Sequence, residues 1–495
     1  MSAAKPLRVA VRLTAGEAAR GCIDALRALG DIAVLRLEEA GSLQELDLIV
    51  DLTSRRVQPD HLHAPRLGYW TFLFGETPER IAPGLLEILA GQRAAFVRLA
   101  RLLPGGRAVI LREGSVKTVS HSLSGTRERL LEAASRWPAE KLRELARCGG
   151  GSAGAEVELP ARTRAARLGL RARIPVALIR NLCRRLGVAM TRECWRIGVI
   201  ERPIAQFLES FDPGAIRWLD VPFDGFLADP FGLALADGTL VILAEALPRG
   251  ERRGRIVAIG RRGDGTLTVT PTSLACDSHL SYPQIIRDAG EIYCIPESSA
   301  QQRVQLFRAV EFPGRWVLDR VLLEGFAGAD ATVARYRDRW WMFAGNHADQ
   351  DEAKLFIFHS PQLRGPWTPH ARNPVKCDLR SSRPAGTAFL GQDGSLYRPA
   401  QDCSRVYGGA IVINRISRLT PDDFQEEVAT RLRPDRSGPC PDGLHTLSAV
   451  GELTLVDGKH QQIAPIARVL SWIGGAGSGR IAVGHGQNRL RQPAS

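Results

Sequence analysis

The chain opens with short apolar runs that alternate with amphipathic stretches. "LRVAVRL" (7–13) reads as a buried strand and "AGEAARGCIDALRALG" (15–30) as an amphipathic helix stopped by glycine. "DIAVLRL" (31–37), "ELDLIVDL" (45–52) and "RAVILREGSVKT" (107–118) read as further strands. "GTRERLLEAASRWPAEKLRELAR" (125–147) closes the region as a helix interrupted by proline. This alternation predicts a parallel, Rossmann-type sheet covered by helices, an α/β domain over residues 1–150.

Residues 151–194 have a different character. "CGGGSAGAEVELPA" (148–161) has the composition of a linker, and 162–190 is basic and partly helical. Ile174, Leu178, Ile179, Leu182 and Leu186 fall at helical spacing and form one apolar stripe among arginines. Two uses fit that stripe: a connecting helix packed on the domain that follows, or an interfacial helix in peripheral contact with anionic lipid. Pro175 is expected to kink the helix or confine it to the residues after it.

From about residue 195 the period shortens. "ADGTLVILAE" (236–245), "DAGEIYCIPE" (288–297), "YRDRWWMFAG" (336–345), "QDGSLYRPAQ" (392–401) and "VDGKHQQIAP" (456–465) each place a tight turn before a strand. Each follows a short apolar strand with a distinctive cluster: "FLADPF" (226–231), "HLSYPQI" (279–285), "GADATV" (328–333), "SSRPAGTAF" (381–389) and "GLHTLSAV" (443–450). Marked at Asp229, Pro283, Asp330, Gly386 and Thr446, the repeats are 54, 47, 56 and 60 residues apart. Several strands per unit at a period near 50 predict an all-β five-bladed β-propeller over 195–470, with 471–495 as a flexible tail. An unrepeated β-sandwich is the alternative.

Inner strands of a propeller line one channel, so the clusters are expected to converge. They bring candidate carboxylates, Asp229, Glu245, Glu297 and Asp330, together with His279, Tyr282, Arg380, Arg383, Arg398, Gln401, Asp402, Tyr407 and His445 as candidate substrate contacts. Carboxylates held apart by rigid strands suit glycosidic chemistry, in which one stays ionised while another keeps a proton. Arg383 and Arg398 flank one hairpin and are expected to face the axis together, where they would hold a phosphate or carboxylate. Trp340, Trp341 and Tyr407 are candidate sugar platforms.

Composition narrows the classes. The 495 residues are 44% hydrophobic and 24% charged, which fits a multidomain globular protein. Net charge is +13, but sixty of the 66 basic residues are arginine and no basic stripe is interleaved with aromatics, so nucleic acid is not the expected partner. Nine cysteines without CxxC pairs suit a reducing cytoplasm and give no zinc signature; no metal or other cofactor is expected. No run of about 18 apolar residues appears. The expected setting is cytoplasmic, with peripheral contact at the inner face of the membrane.

Residues 195–465 resemble the five-bladed N-terminal domain of glucosamine inositolphosphorylceramide transferases and their bacterial relatives. The motifs are "WRIGVI" (195–200), "FLADPF", "SYPQI", "IPES" (295–298), "ADATV", "SRPAG", "YRPAQD" (397–402), "YGGAI" (407–411) and "GLHT" (443–446). More distantly they resemble arabinanase- and levansucrase-type glycoside hydrolases. That resemblance implies Asp229 as base or nucleophile, Asp330 as its orienting partner, and Glu297 or Glu245 as acid. The implied function is glycosyl transfer, or support of it, in bacterial surface polysaccharide or glycolipid assembly. A sugar or phospho-sugar, including a lipid-linked glycan, would be the substrate; a non-catalytic glycan-binding propeller and a glycoside hydrolase are the alternatives. Residues 7–150 resemble the formyltransferase fold through "LDLIVDLTSR" (46–55), "LGYWTFLFG" (67–75) and "GGRAVILREG" (105–114), without that family's Asn, His and Asp. Formyl transfer is therefore not expected.

Overall fold

A computed structural model describes residues 6–12, 17–53, 57–147, 154–160, 169–170, 172–189, 191–274 and 278–463. The stretch read as a tail, 471–495, lies outside them, as do 161–168 of the basic segment.

The N-terminal sheet has seven strands in the order β2-β1-β3-β4-β5-β6-β7. They are β1 (Leu7–Arg12), β2 (Ile32–Arg36), β3 (Leu48–Asp51), β4 (Tyr69–Phe74), β5 (Ala94–Leu103), β6 (Arg107–Lys117) and β7 (Glu156–Glu158). The first four pair in parallel and the last three join antiparallel, so the sheet is mixed rather than wholly parallel. The short β7 belongs to this sheet although its sequence reads as linker. Its neighbours on the linker are glycine-rich, but Glu156–Glu158 still finds a free ladder on β6. The closing helix is two, Leu123–Ala134 and Trp137–Arg147, broken at Ser135–Arg136 so that Pro138 falls in the first turn of the second, where its missing N–H costs no bond.

The second domain is a ring of five sheets. Blade 1 holds β10–β13 (Gly225–Ala234, Leu240–Pro248, Arg255–Arg261, Leu267–Pro271), and blade 2 holds β14–β17 (Ser281–Asp288, Glu291–Glu297, Arg303–Glu311, Arg315–Glu324). Blade 3 holds β18–β21 (Gly328–Tyr336, Arg339–Asn346, Lys354–Ser360, Thr368–Pro369) with a short β22 (Lys376–Cys377) at its side. Blade 4 holds β23–β26 (Phe389–Leu390, Leu396–Asp402, Ala410–Leu419, Phe424–Leu432). Blade 5 joins β27 (Gly443–Val450) and β28 (Leu453–Ile463) to β8 (Thr191–Ile200) and β9 (Arg217–Trp218). The ring is thus closed by pairing the two ends of the domain along ten residues, Thr191↔Ile463 to Ile200↔Thr454.

Its hydrophobic cores lie between blades. Five clusters each join two neighbouring sheets: Leu243 with Cys294, Ile295 with Met342, Phe343 with Leu396, Ile413 with Leu444, and Leu455 with Ile242. Both faces of a blade are therefore buried, which is why its strands read as continuous apolar runs. Trp340 and Trp341 sit on opposite faces of β19, in the blade 2/3 and blade 3/4 cores. Neither is a sugar platform.

Asp457-Gly458 is not a turn but mid-strand in β28, paired with Ile197 and Arg196 of β8; the chain reverses at Gly451–Glu452. A continuous ladder on each side overrides the local turn preference of Asp-Gly.

The N-terminal domain docks on blades 3 and 4. Ser115 of β6 bridges to Asp378 through backbone and side chain (Oγ–Oδ1 2.7 Å), and a Cβ on Gly114 would lie 2.2 Å from the Cys377 carbonyl oxygen. Ala353, Leu379 and Cys403 of the propeller complete the N-terminal core.

Candidate functional site

The inner strands carry a recurrent irregularity. In blades 1, 2, 3 and 5, two residues of the inner strand face one on its neighbour: 229–230, 282–283, 330–331 and 445–446 are unpaired opposite Ala244, Pro296, Ala344 and Asp457. These are β-bulges, which re-aim side chains. Asp229, Tyr282 and Asp330 there adopt φ of 51°, 47° and 48°. Left-handed backbone is tolerable for aspartate and strained for tyrosine, so the surroundings must hold it. The structurally equivalent residues are Asp229, Tyr282, Asp330 and His445, one position off the sequence markers in blades 2 and 5.

The bulges empty into one cavity of about 540 Å³ that Asp229, Glu245, Glu297, Asp330, His279, Arg383, Tyr407 and His445 all line. On the second strands of blades 1 and 2, Glu245 lies three residues before the end of β11 and Glu297 ends β15, opposite Ala228 and Ser281. In blade 3 that place is Gly345, and the loop after it supplies His347 and Asp351 instead. A Cβ on Gly345 would sit 2.7 Å from the Asp351 carbonyl oxygen, so glycine is what admits the loop.

Two linked networks fill the floor. In the first, Arg383 donates Nε to Asp330 Oδ2 (2.5 Å) and Nη1 to Asp351 Oδ2 (2.5 Å), with Nη2 3.7 Å from Glu297 Oε2. Gln401 donates to Asp330 Oδ2 (2.8 Å), and the Asp330 N–H donates to Glu297 (2.9 Å). His347 bridges Glu297 (3.0 Å) and Asp351 (3.0 Å) through its two nitrogens. In the second, Asp457 accepts from the backbone N–H groups of Asp229, His445 and Thr446 and pairs with His445 Nδ1 (2.7 Å). His445 Nε2 then lies 3.4 Å from Asp229 Oδ1, which also accepts from Thr446 Oγ1 (2.8 Å). Trp195 stacks on His445 at 3.9 Å, and Tyr407 lies under the Arg383 guanidinium at 5.3 Å.

Electrostatics divide the carboxylates. Burial is the largest influence on each. It pushes Glu245 well above the usual carboxylate range, reinforced by Asp229, Glu297 and Asp330, and it raises Asp229 against the opposing pull of His445. Asp330 rises to about 7, because burial and the charges of Glu297 and Asp229 outweigh Arg383. For Glu297 burial loses to the His347 hydrogen bond and to Arg383, which hold it at about 2. Hydrogen bonds to Asp351 and Glu297 lift His347 to about 10. The cavity therefore sets carboxyls that burial pushes towards the protonated form beside one, Glu297, that its partners hold ionised.

This split gives stability a sign on each flank. Asp330, raised from 3.8 to about 7, favours folding fully below pH 3.8 and loses that contribution as pH rises through 7. Glu297, lowered from 4.5 to about 2, contributes above pH 4.5 and loses it as pH falls towards 2. The melting temperature is expected to rise from pH 8 to about 5 and fall below 4. Asp330→Asn should flatten the upper limb and Glu297→Gln the lower; thermal melts of the three proteins across pH check this, and unchanged limbs would contradict it.

Not every candidate reaches the cavity. Arg398 lies three residues before Gln401 on β24, an odd spacing that turns it to the other face. There it is fully buried against Glu426 (2.7 Å) and the carbonyls of Ser381 and Ser382. Arg380 pairs with Asp378 and with Glu113 at the domain junction, and Asp402 binds Arg431 and Ser404. Tyr282 is wholly buried, its hydroxyl at Thr332 Oγ1 (2.8 Å) and the Gly386 backbone. Gln401 acts from behind Asp330. Sequence reading missed Trp195, His347, Asp351 and Asp457; the acidic run "HADQDE" (347–352) after a second strand was the available signal for two of them.

Asp229, His445 and Asp457 are close enough to share a cation. Their ligand atoms are already engaged with one another and with backbone N–H groups, so the cluster reads as an anchor for the bulges. A larger cavity, about 820 Å³, lies at the domain junction; of the six cationic residues that line it, Arg112 pairs with Glu140, Lys354 with Glu132 and Asp349, and Lys376 with Glu426.

Residues 219–439 match the family model described as "Glucosamine inositolphosphorylceramide transferase 1, N-terminal". That span includes Asp229, Glu245, Glu297, Asp330 and Arg383 and leaves out Trp195, His445 and Asp457. Among curated proteins, the chain is 35% identical over 208 residues to glucosamine inositolphosphorylceramide transferase 1 of Oryza sativa subsp. japonica, covering 41% of this chain and 27% of that protein. It is 36% identical over 221 residues to the Arabidopsis thaliana protein of the same name, covering 43% and 28%. The chain thus spans about a quarter of the length of these relatives, which are named as transferases. Among solved structures, Zg3597, a family 117 glycoside hydrolase of Zobellia galactanivorans, is similar at TM-score 0.35 and 13% identity, covering 49% of this chain and 87% of that one. The GH43_1 enzyme of Xanthomonas citri is similar at TM-score 0.35 and 12% identity, covering 48% and 87%.

Proposed function

We propose that this chain is a carbohydrate-active protein that transfers a glycosyl group in the funnel of its propeller, in glycolipid or surface polysaccharide assembly. The observation that carries this reading is two carboxyls held differently in one cavity: burial and neighbouring carboxylates push Glu245 well above the usual range, while Asp229, also raised by burial, is pulled back by His445, whose Nε2 lies 3.4 Å away. Glu245 serves as general acid, giving its proton to the departing oxygen. Asp229 is the base or nucleophile on the reacting sugar, with Thr446, the Tyr282 N–H and the Asp457–His445 pair fixing its oxygens. Glu297, expected as the acid, is too firmly ionised for that role; with His347 and Arg383 it orients Asp330.

The substrate contact is with sugar hydroxyls. Arg383 has its donors committed to Asp330 and Asp351, so it is not available to a donor phosphate, and Arg398 lies elsewhere. Trp195 and Tyr407 supply the aromatic walls. The N-terminal domain is not proposed to transfer formyl groups. It braces the funnel: its Arg93 and Lys117 pair with Glu352 (both 2.6 Å), next to Asp351.

The test is turnover of nucleotide-sugar, lipid-linked and aryl glycoside donors by the full chain, with transfer and release of free sugar both measured. Glu245→Gln and Asp229→Asn should each lower transfer by about 10²–10⁴-fold with melting curves kept. Binding without turnover in the unsubstituted protein, or release of free sugar alone, would overturn the transferase reading.

A further inference from the structure

The helix Ile174–Ala189 is held on one side and bare on the other. Its inner side is fixed to the N-terminal domain. Asn181, 2% exposed, donates to the carbonyls of Ile88 (2.9 Å) and Ser120 (3.1 Å), Arg180 donates to the carbonyl of Leu89 (2.7 Å), and Ala177 is buried. The helix thus docks on the N-terminal domain rather than on the propeller. Its outer side carries Val176, Ile179 and Leu182, which are 71%, 65% and 51% exposed, with Cys183 exposed between them. At 100° per residue these four occupy an arc of about 120° that contains no polar side chain. Val176 and Ile179 are the two most exposed large apolar residues among those described.

Charge says what covers this arc. Residues 161–190 contain eight arginines and no aspartate or glutamate. Arg173 and Arg184 are both exposed, and at 100° per residue they fall about 60° and 80° round the helix from Val176, on the side of Arg180. A protein surface would be expected to meet such a helix with acidic partners at fixed points. An apolar arc on a segment that carries eight arginines and no acidic residue instead complements a continuous apolar layer under negative headgroups. We infer that this helix is a monotopic anchor that lays Val176, Ile179 and Leu182 into the interface of an anionic lipid bilayer. The helix is not long and apolar enough to span, and lying in the plane of the interface requires no span. The anchor is separate from the funnel, so its test stands or falls independently of the glycosyl reading.

The experiment is co-sedimentation of the full chain with vesicles of phosphatidylcholine alone and with 30% phosphatidylglycerol. Binding to the anionic vesicles is expected to be at least tenfold tighter and to weaken in 0.5 M salt. Ile179→Asp with Leu182→Asp should lower it at least tenfold without moving the melting temperature, since both side chains face solvent. Arg173→Gln with Arg184→Gln should reduce the preference for phosphatidylglycerol. Equal binding by the double aspartate variant, or no binding by the unsubstituted chain, overturns the inference. So does a dimer in light scattering that dissociates in the aspartate variant while vesicle binding is absent, since the face would then be an interface between copies.

Discussion

Arg383→Met is expected to destabilise the propeller by about 3–5 kcal/mol, the cost of leaving buried carboxylates without their counter-charge. Arg383 is the shared cation of Asp330, Asp351 and Glu297, and its side chain is 6% exposed. Methionine keeps the length of the apolar stem and removes every donor. At neutral pH the Glu297 and Asp351 charges would then face each other with only His347 between them. The loss has a sign in pH. Without the guanidinium these carboxylates take up protons more readily, so the penalty should be largest at pH 8 and shrink as pH falls towards 5. Urea unfolding at several pH values reads both features. A penalty of constant size across that range would show that packing, not charge, is what Arg383 supplies. Sugar binding should be lost together with stability, because Asp330 and the Tyr407 face are both set by the same guanidinium.

Gly386→Ala is the second large expectation, at about 3–5 kcal/mol. Gly386 has φ of +108°, and a Cβ there would lie 2.0 Å from the carbonyl oxygen and 2.5 Å from the carbonyl carbon of Leu447. Those are main-chain atoms of the neighbouring blade, so no side-chain rotamer relieves the contact. The parallel bridge between Gly386 and Leu447 ties blade 4 to blade 5, and the Gly386 N–H also donates to Tyr282 of blade 2. Forcing them apart would open the ring at its axis, where Tyr282 and Thr332 converge. Gly394→Ala is the control, since it shares a positive φ (69°) but has nothing within 4 Å of the added methyl. It should cost about 1–2 kcal/mol, the backbone term alone. Equal midpoints for the two variants in denaturant titrations would remove the axial contact from the account.

The propeller was legible in the sequence because a blade is a local object. Its inner strands, turns and flanking apolar runs lie within some fifty residues, and tight turns such as Asp288–Glu291 and Arg337–Asp338 join strands adjacent in sequence. The same reasoning reached Asp229, Glu245, Glu297 and Asp330, since equivalent positions in repeated hairpins must meet around an axis. It failed where partners are remote. Asp457 looked like the first residue of a turn, and only the pairing of β28 with β8, some 260 residues away, makes it the buried hub beneath Asp229. Arg398 looked like the twin of Arg383, and only the pleat of β24 turns it to Glu426.

What the sequence by itself determined is the number of blades, the hairpin that opens most of them and the residue types that crowd the axis. Periodicity and polarity are written residue by residue. Only the tertiary structure decided which carboxyl keeps its proton, which arginine reaches the funnel and which side of the basic helix is bare. Those depend on distances between segments far apart in the chain, because burial and the Coulomb energy between given charges both change with what lies nearby and how near it is.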